Sequence, residues 1–519
     1  MMDTERTDLA WLAGELSAIR RELAPSSESR ALTLALDQGG TSSRAVLFDA
    51  VGREAATAHV PIATRRDGDR VEHDPEQLVQ SLRTAIHDVC GSPWAAERPI
   101  EAVGLATQRS TVCCWDTSDG TALSPAISWQ DRRHAQWLEQ RLGTRATWVR
   151  ELTGLPLSPH YGASKLRWCI DELPAVRLAL RDERLALGPL ASFLLHRLCV
   201  ERPLGVDPAN ASRTLLFDPT LLDWSPALLE AFDIPRTALP HCVDTQQEFG
   251  TCVLDDGRRV PLRACSGDQS AALFAFGEPL TTTVFVNLGT GAFVQRAVRD
   301  GAGAPPRGLL RSVVASTHVA GVRRAVYCHE GTVNGGHAAL EWLRGRVGLD
   351  VQRALAALQA ESPAVEADDL LFMNGVGGLG APFWLPDFPT EFTDLDGRVV
   401  AQPTDERRQL AAVVDSIAFL VATQVAAMRR ASPLDRLVVT GGLAACDYLC
   451  EMLAAATGLR VERPALREAT ARGIAYLAAG QPSDWQPVPL DRVFDPSARA
   501  DIAHRFERWR GAMAQRGAG

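Results

Sequence analysis

The sequence predicts an α/β protein in which one architectural plan is used twice, in two successive domains. Two observations carry this prediction, and chain length supports it. The first is the turn Asp37-Gln38-Gly39-Gly40-Thr41-Ser42-Ser43-Arg44, set between apolar runs at 31–36 and 45–48. The second is a related turn, Asn287-Leu288-Gly289-Thr290-Gly291, between runs at 283–286 and 292–294. Each reads as strand, tight small-residue turn, strand. Such turns let backbone N–H groups and hydroxyls approach phosphate oxygens that a Cβ would hold away. Two of them suggest a duplicated fold closing on a nucleotide between its halves, although glycine-rich hairpin turns also occur with no ligand. At 519 residues the chain has room for two domains with separate cores.

Composition narrows the function. Hydrophobic residues make up 46% and charged residues 23%, as in ordinary globular proteins, and the net charge of −9 argues against a nucleic-acid or anionic-membrane partner. The 11 cysteines are scattered from Cys90 to Cys450 without a C-x-x-C pair. That pattern predicts reduced thiols rather than a disulfide framework or zinc site. No apolar run is expected to span a bilayer, and the polar start lacks a signal core, so a cytoplasmic protein is expected.

Along the chain, Leu9, Leu12, Leu16, Ile19 and Leu23 recur at helical spacing, and Ala24-Pro25 ends that helix. It reads as an added surface or subunit-contact helix over 1–30. The first domain is expected over 31–277. A helix follows His73-Asp74-Pro75, where Asp74 can cap and Pro75 suits the first turn. A buried strand at 100–107 leads into Gln108-Arg109-Ser110-Thr111, and a further strand and turn cover 126–133. The second domain, 278–482, holds the second turn, helices at 338–347, 410–429 and 448–457, and a strand at 436–439 before Gly441-Gly442. The stretch 375–390, with Pro382, Pro386 and Pro389, reads as an irregular loop. A polar tail, 483–519, ends in a helix at 498–515.

Phosphoryl transfer to an alcohol needs a phosphate cradle, a carboxylate for the metal and a base on the acceptor hydroxyl. Asp37, at a strand end, is placed to hold Mg²⁺ directly or through water, though Asp also caps turns. Thr41, Ser42 and Arg44 offer hydroxyls and a cation to phosphate. Asp268, in Ser266-Gly267-Asp268-Gln269-Ser270, stands at a helix start, where it is a candidate base or simply an N-cap. Gln269 beside it is a candidate for a polyol hydroxyl or for solvent. Arg109 can donate to several hydroxyls, and Trp129 can cover the carbon face of a small polyol. Each has a plain alternative, a surface cation and a core aromatic. Gly441-Gly442 would admit an adenosine close to the backbone, or is a common turn.

The order of the pieces goes further. LALDQGGTSSRAVLFD, VEHDP, ATQRST, AISWQDRR, NASRTLLFD, GDQSAALF, GTGAF, GLGAPFW, VVTGGLAA and ATARGIAYLAAG occur in register between about residues 31 and 480. In these the chain resembles the FGGY carbohydrate-kinase family, and within it the glycerol kinases most closely. The resemblance implies two actin-like ATPase (ribonuclease H-like) domains with an interdomain cleft. It implies ATP-dependent phosphorylation of a small polyol, glycerol to glycerol 3-phosphate, with Mg²⁺. Asp268 becomes the general base, and Asp37 the metal-associated carboxylate. Thr41, Ser42 and Arg44 fall in the first phosphate loop, Gly289 and Thr290 in the second, and Gly442 lies against adenosine. Arg109, Ser110, Trp129, His160, Asp268, Gln269 and Phe293 fall where such enzymes contact or surround substrate. Homo-oligomers are common among the relatives.

The chain departs from the pattern at several positions. Ser110 replaces a glutamate, His160 a tyrosine with Tyr161 one position on, and Gly40 a phosphate-loop threonine. His337, Glu341 and Cys446 replace glycine, glutamine and asparagine near adenosine. The acceptor pocket is thereby altered, so a kinase acting on another polyol or a pentulose is a rival reading. A catalytically weak ATP- or sugar-binding sensor is another. A nicotinamide enzyme is disfavoured: Gly375, Gly377 and Gly380 spell G-x-G-x-x-G, but prolines follow where that fingerprint needs a helix.

Overall fold

The computed structural model describes residues 31–299, 304–319, 321–348, 350–360, 369–401, 403, 405–496 and 500–518. The helix expected over 1–30 lies outside the described residues. The chain divides into two compact units. The first takes the chain up to Pro279 together with Ser312–Val326 and Glu468–Pro487, and the second takes Leu280–Arg311, Tyr327–Arg467 and Val488–Gly519. Two segments read as second-domain from sequence are therefore grouped with the first unit.

In the first unit the apolar runs flanking the first turn become β1 (Leu32–Gln38) and β2 (Ser42–Phe48), an antiparallel pair in which Asp37 faces Arg44. With β3 (Glu54–Pro61), β4 (Ile100–Thr107), β5 (Gln246–Val253) and β6 (Arg259–Gly267) they form a sheet of order β5-β6-β4-β1-β2-β3. β1, β4 and β6 run parallel, and their ends are in step: Thr107 pairs with both Gln38 and Gly267. Three strand ends therefore finish on one line, which is where α/β sheets place ligands.

Helices cover both sheet faces. α1 (Pro75–Cys90) begins as expected, with Asp74 accepting from the Glu76 amide and Pro75 at the first turn. Its apolar residues Leu78, Leu82 and Val89 pack into one core with Leu34, Leu36, Val103 and Leu105. Side chains alternate along a strand, so Gly104 points to the other face. There α2 (Ala469–Ala478) approaches so closely that a Cβ on Gly104 would stand 2.7 Å from the Ile474 carbonyl. A smaller five-stranded sheet, including Arg70–His73, Val112–Asp116 and Leu185–Pro189, completes the unit.

The second unit repeats the plan. β7 (Thr283–Leu288) and β8 (Ala292–Arg299) are the antiparallel pair around the second turn. β9 (Leu310–Val319) and β10 (Val322–Val333), whose residues 312–326 are grouped with the first unit, follow β8, and β11 (Arg436–Thr440), β12 (Arg460–Pro464) and β13 (Leu490–Phe494) follow β7, in the order β9-β10-β8-β7-β11-β12-β13. β13, inside the expected tail, is an edge strand whose first three residues are exposed, so its sequence reads as polar.

The long helix α3 (Glu406–Ala431) forms the core of this unit. It corrects the expectation that no apolar run reaches bilayer-spanning length: an 18-residue window has a mean hydropathy of 1.9, and 89% of that window is buried inside the protein. Its one internal acid, Asp415, is buried and satisfied by Arg505 Nη2 at 2.7 Å and Tyr448 Oη at 2.9 Å. The G-x-G-x-x-G stretch lies between two short antiparallel strands, Leu371–Met373 and Glu391–Thr393, with no helix between Gly380 and Glu391. All 11 cysteines are free thiols.

Candidate functional site

The ends of β1, β4 and β6 bring together residues from distant parts of the sequence. Asp37 closes β1, Gln108 and Arg109 follow β4, and Asp268 follows β6 as the first residue of a short helix, Asp268–Ala272. Gly267 is required at that junction. A Cβ there would lie 2.5 Å from Arg109 Cγ, so the missing side chain is what lets Arg109 lie across the strand end. Arg109 is buried, and its Nε stands 3.7 Å from Asp268 Oδ1, which also accepts from the Gln269 amide at 2.7 Å. The cap position of that helix is Gly267, so Asp268 is not the N-cap of the plain reading: it is the first helical residue and stands beside Arg109.

Asp37 pairs with Arg44 at 3.1 Å, and Glu468 Oε2 stands 3.5 Å from the same guanidinium nitrogen. Burial pushes the Asp37 carboxyl up to about 7; Arg44 opposes this, while the charges of Asp268 and Glu468 add to it. Three carboxylates, Asp37, Asp268 and Glu468, stand here against Arg44 and Arg109, an excess of acid that a divalent cation would balance. Among the described residues no group of three His, Cys, Asp or Glu side chains forms a protein cage. One or two carboxylates, with water and phosphate oxygens, are the usual donors to Mg²⁺ at a phosphate site.

The first turn is built for close approach. Gly39 N donates to Ser42 O at 2.9 Å, Thr41 is exposed, and the Ser42 hydroxyl is buried with no partner. At Gly40 a Cβ would face Gln108 Oε1 at 3.8 Å and Trp129 Nε1 at 4.0 Å, so the turn looks onto both. Gln108 ties this region together, donating to the Gly39 carbonyl at 3.1 Å and accepting from Thr111 at 3.0 Å. Thr111 Oγ1 in turn accepts from the Trp129 amide at 3.2 Å.

Trp129 and His160 are in ring contact, with centroids 5.5 Å apart, and His160 meets Tyr161 edge-on at 5.0 Å. Ser110 has a left-handed backbone, φ 65°, and its buried hydroxyl has no hydrogen-bond partner. A buried unsatisfied hydroxyl is costly unless a ligand completes it. Beneath these residues lies Lys165, fully buried in the helix Gly162–Glu172. Its Nζ donates to the carbonyls of Ser110 (3.3 Å), Ser128 (2.8 Å) and His160 (2.7 Å). Burial lowers its pKa to about 7.

In the second unit, Gly289 N donates to Gly291 O at 2.8 Å. The carbonyls of Gly289 and Thr290 accept from the His337 and Ala338 amides at 3.0 Å each, which fastens the turn to the helix His337–Val347. Phe293 lies opposite Asn287 in the strand register, half-buried. β7 and β11 run parallel, so Gly441 lies beside the turn: its φ is 89°, and a Cβ would stand 2.5 Å from Leu288 O. Gly442 has open space around its Cα. His337 and Glu341 pair with each other at 3.3 Å, and Cys446 is buried at the start of the helix Asp447–Thr457.

Sequence reasoning missed Gln108, Lys165 and Glu468. Gln108 stands inside a quoted motif and was readable. Lys165 and Glu468 are ordinary helix and loop charges until the fold brings them to the strand ends.

The N-terminal domain of the FGGY family of carbohydrate kinases matches residues 32–275, and its C-terminal domain matches 284–481. A glycerol kinase of Alkalilimnicola ehrlichii is 35% identical, with 93% of this chain and 98% of that protein covered. One of Methylibium petroleiphilum is 34% identical over the same shares. Among solved structures, Plasmodium falciparum glycerol kinase with ADP superposes with a TM-score of 0.84 at 21% identity, covering 94% of this chain and 98% of that one. A xylulose kinase of Rhodospirillum rubrum gives 0.79, also at 21% identity, covering 93% and 98%. The chain belongs to the FGGY family of carbohydrate kinases.

Proposed function

We propose that this chain transfers the γ-phosphoryl group of ATP to a terminal hydroxyl of glycerol, giving glycerol 3-phosphate and ADP. The observation that carries the reading is the set of groups at the ends of β1, β4 and β6. A partly exposed carboxylate, Asp268, is paired with Arg109, and the unsatisfied Ser110 hydroxyl follows Arg109 directly in the chain. The many curated relatives named glycerol kinase, 31–35% identical over nearly the whole chain, support the acceptor.

In this reading Trp129 and His160 cover the carbon side of the acceptor, while Arg109, Ser110 and Gln269 bind its hydroxyls. Asp268 takes the proton from the attacking hydroxyl. The oxygen forms a bond to the γ-phosphorus, and the bond to the β,γ-bridging oxygen breaks with its electron pair leaving on ADP. Thr41, Ser42 and Arg44 bind phosphate oxygens on the first unit. Gly289 and Thr290 do so on the second, with Gly442 and Phe293 nearby. Asp37 would hold Mg²⁺, which supplies charge neutralisation to the transferring phosphoryl group. A supply of ATP to this reaction is consistent with a cytoplasmic enzyme.

The test is ATP-dependent phosphorylation of glycerol, dihydroxyacetone, erythritol and several pentuloses, by wild type and Asp268→Asn. Glycerol turnover lost in the variant supports the reading. Turnover of a pentulose but not glycerol replaces the acceptor, the second reading that Ser110 and His160 favour. Silence on every acceptor with ATP still bound makes the protein a sensor.

A further inference from the structure

At the end of the β7–β8 hairpin opposite the Gly289–Gly291 turn, the second unit holds a cavity of about 730 Å³. The strands between the two are six and eight residues long, which puts them roughly 20 Å apart. Four arginines line the cavity, Arg296, Arg299, Arg307 and Arg430, and none of the described lining residues is acidic.

Two buried groups there are incompletely matched, Arg296 in charge and His329 in hydrogen bonds. Arg296 is 2% exposed, and its Nε and Nη1 donate to the carbonyls of Thr281 and Met428, at 2.7 and 3.0 Å. Burial alone shifts its pKa, downward, with no carboxylate acting against it. His329 is 6% exposed, and both its ring nitrogens are buried without a hydrogen-bond partner. Arg296 and Arg311 add to burial in holding its ring neutral. A buried guanidinium with no carboxylate acting on it and an imidazole without a hydrogen-bond partner are both groups whose burial an anion would offset. The cavity is many times larger than an inorganic ion and falls in the range of small-molecule sites. Val298, Pro306 and Ala427 give it an apolar wall.

We propose that this cavity binds a small organic phosphate. Its anionic head meets Arg307, Arg430 and the His329 ring over the positive floor of Arg296, and its carbon body lies against Val298, Pro306 and Ala427. Planar guanidinium forks match phosphate geometry in a way that lysines do not. The site stands apart from the nucleotide turn and does not depend on the acceptor assignment.

The experiment is calorimetric titration of the full chain with phenyl phosphate, inorganic phosphate and phenol. The variants are Arg307→Ala/Arg430→Ala, which removes two exposed cations, and Ser432→Asp, which adds an anion to the same wall. Expected are binding of phenyl phosphate, binding of inorganic phosphate at least tenfold weaker, no binding of phenol, and at least a tenfold loss of affinity in each variant. Phenyl phosphate affinity unchanged in both variants locates its binding elsewhere and overturns the proposal. So does the absence of binding by wild type at millimolar concentration. Equal affinity for inorganic phosphate overturns the role of the apolar wall.

Discussion

Lys165 Nζ lies 2.7 Å from the carbonyl oxygen of His160, five residues back along the chain, and the same nitrogen holds the Ser128 and Ser110 carbonyls. One buried cation thus fastens three segments: one carries Ser110, one precedes Trp129 and one carries His160. Three N–H groups meet three carbonyls, so the ammonium form satisfies all of them.

Lys165→Met leaves three buried carbonyls without that donor and should cost about 3 kcal/mol of stability. If Lys165 positions the acceptor groups, KM for glycerol should also rise about tenfold while kcat falls less. A purely structural role would lower the melting temperature and leave KM unchanged in the folded fraction.

The pH dependence follows from the same lysine, with Asp131 and Arg133 as the charges that act on it. Its folded pKa, about 7, lies below the ordinary value of 10.5. Between these values the unfolded chain holds the extra proton, so stability rises with pH across that window and is unaffected by this group below it. The melting temperature of wild type relative to Lys165→Met should therefore climb from pH 7 towards 10. Over the same window the amine loses one N–H, and the longest contact, to Ser110, is the first to loosen. KM for glycerol should rise through pH 7 in wild type and stay flat in the variant.

Asp268→Asn keeps the shape and the Gln269 contact but removes the base and the charge facing Arg109. General-base loss should lower kcat by about 10²–10⁴-fold. KM for ATP should hardly change, because Asp268 contributes no phosphate contact in this reading. A steady-state ADP-release assay on both substrates checks this. Equal kcat in wild type and variant would remove Asp268 from the chemistry.

The turns are legible as strand-turn-strand units because small residues stand between two apolar runs, and α1 because Asp74-Pro75 is a strong start signal. What was not legible is what long-range pairing decides. The register that sets Thr107 against both Gln38 and Gly267 joins strands far apart in sequence, and no local pattern encodes it. Lys165 sits between Ser164 and Leu166 on a short helix, and a lysine's long stem usually carries its charge to solvent. Glu468 reaches Arg44 only because α2 returns to the first sheet. β13 hid because an edge strand needs no apolar alternation. The apolar run of α3 is interrupted in sequence by Asp415, an acid whose partners Arg505 and Tyr448 only the fold brings to it.

Gly267→Ala tests the strand end directly. The added methyl would overlap Arg109 Cγ at 2.5 Å and Cδ at 2.7 Å, the near part of the side chain rather than its mobile tip. Arg109 must shift, and its 3.7 Å approach to Asp268 shifts with it. We expect kcat/KM for the acceptor to fall by about 10–100-fold, equivalent to roughly 1.4–2.7 kcal/mol. ATP binding, measured separately by calorimetry, should be unchanged. An acceptor kcat/KM at the wild-type level would show that Arg109 does not need this position.

Ser110→Ala separates folding from binding at one atom. In the structure the Ser110 hydroxyl is buried and unpartnered, so removing it should leave the melting temperature unchanged or slightly raised. If that hydroxyl completes its hydrogen bonding on an acceptor hydroxyl, KM for glycerol should rise about five- to tenfold, the value of one hydrogen bond. A structural serine would give the opposite pair of results, a lower melting temperature and an unchanged KM. Thermal melts and acceptor kinetics on the same preparation decide between the two, because each role moves only one of the readouts.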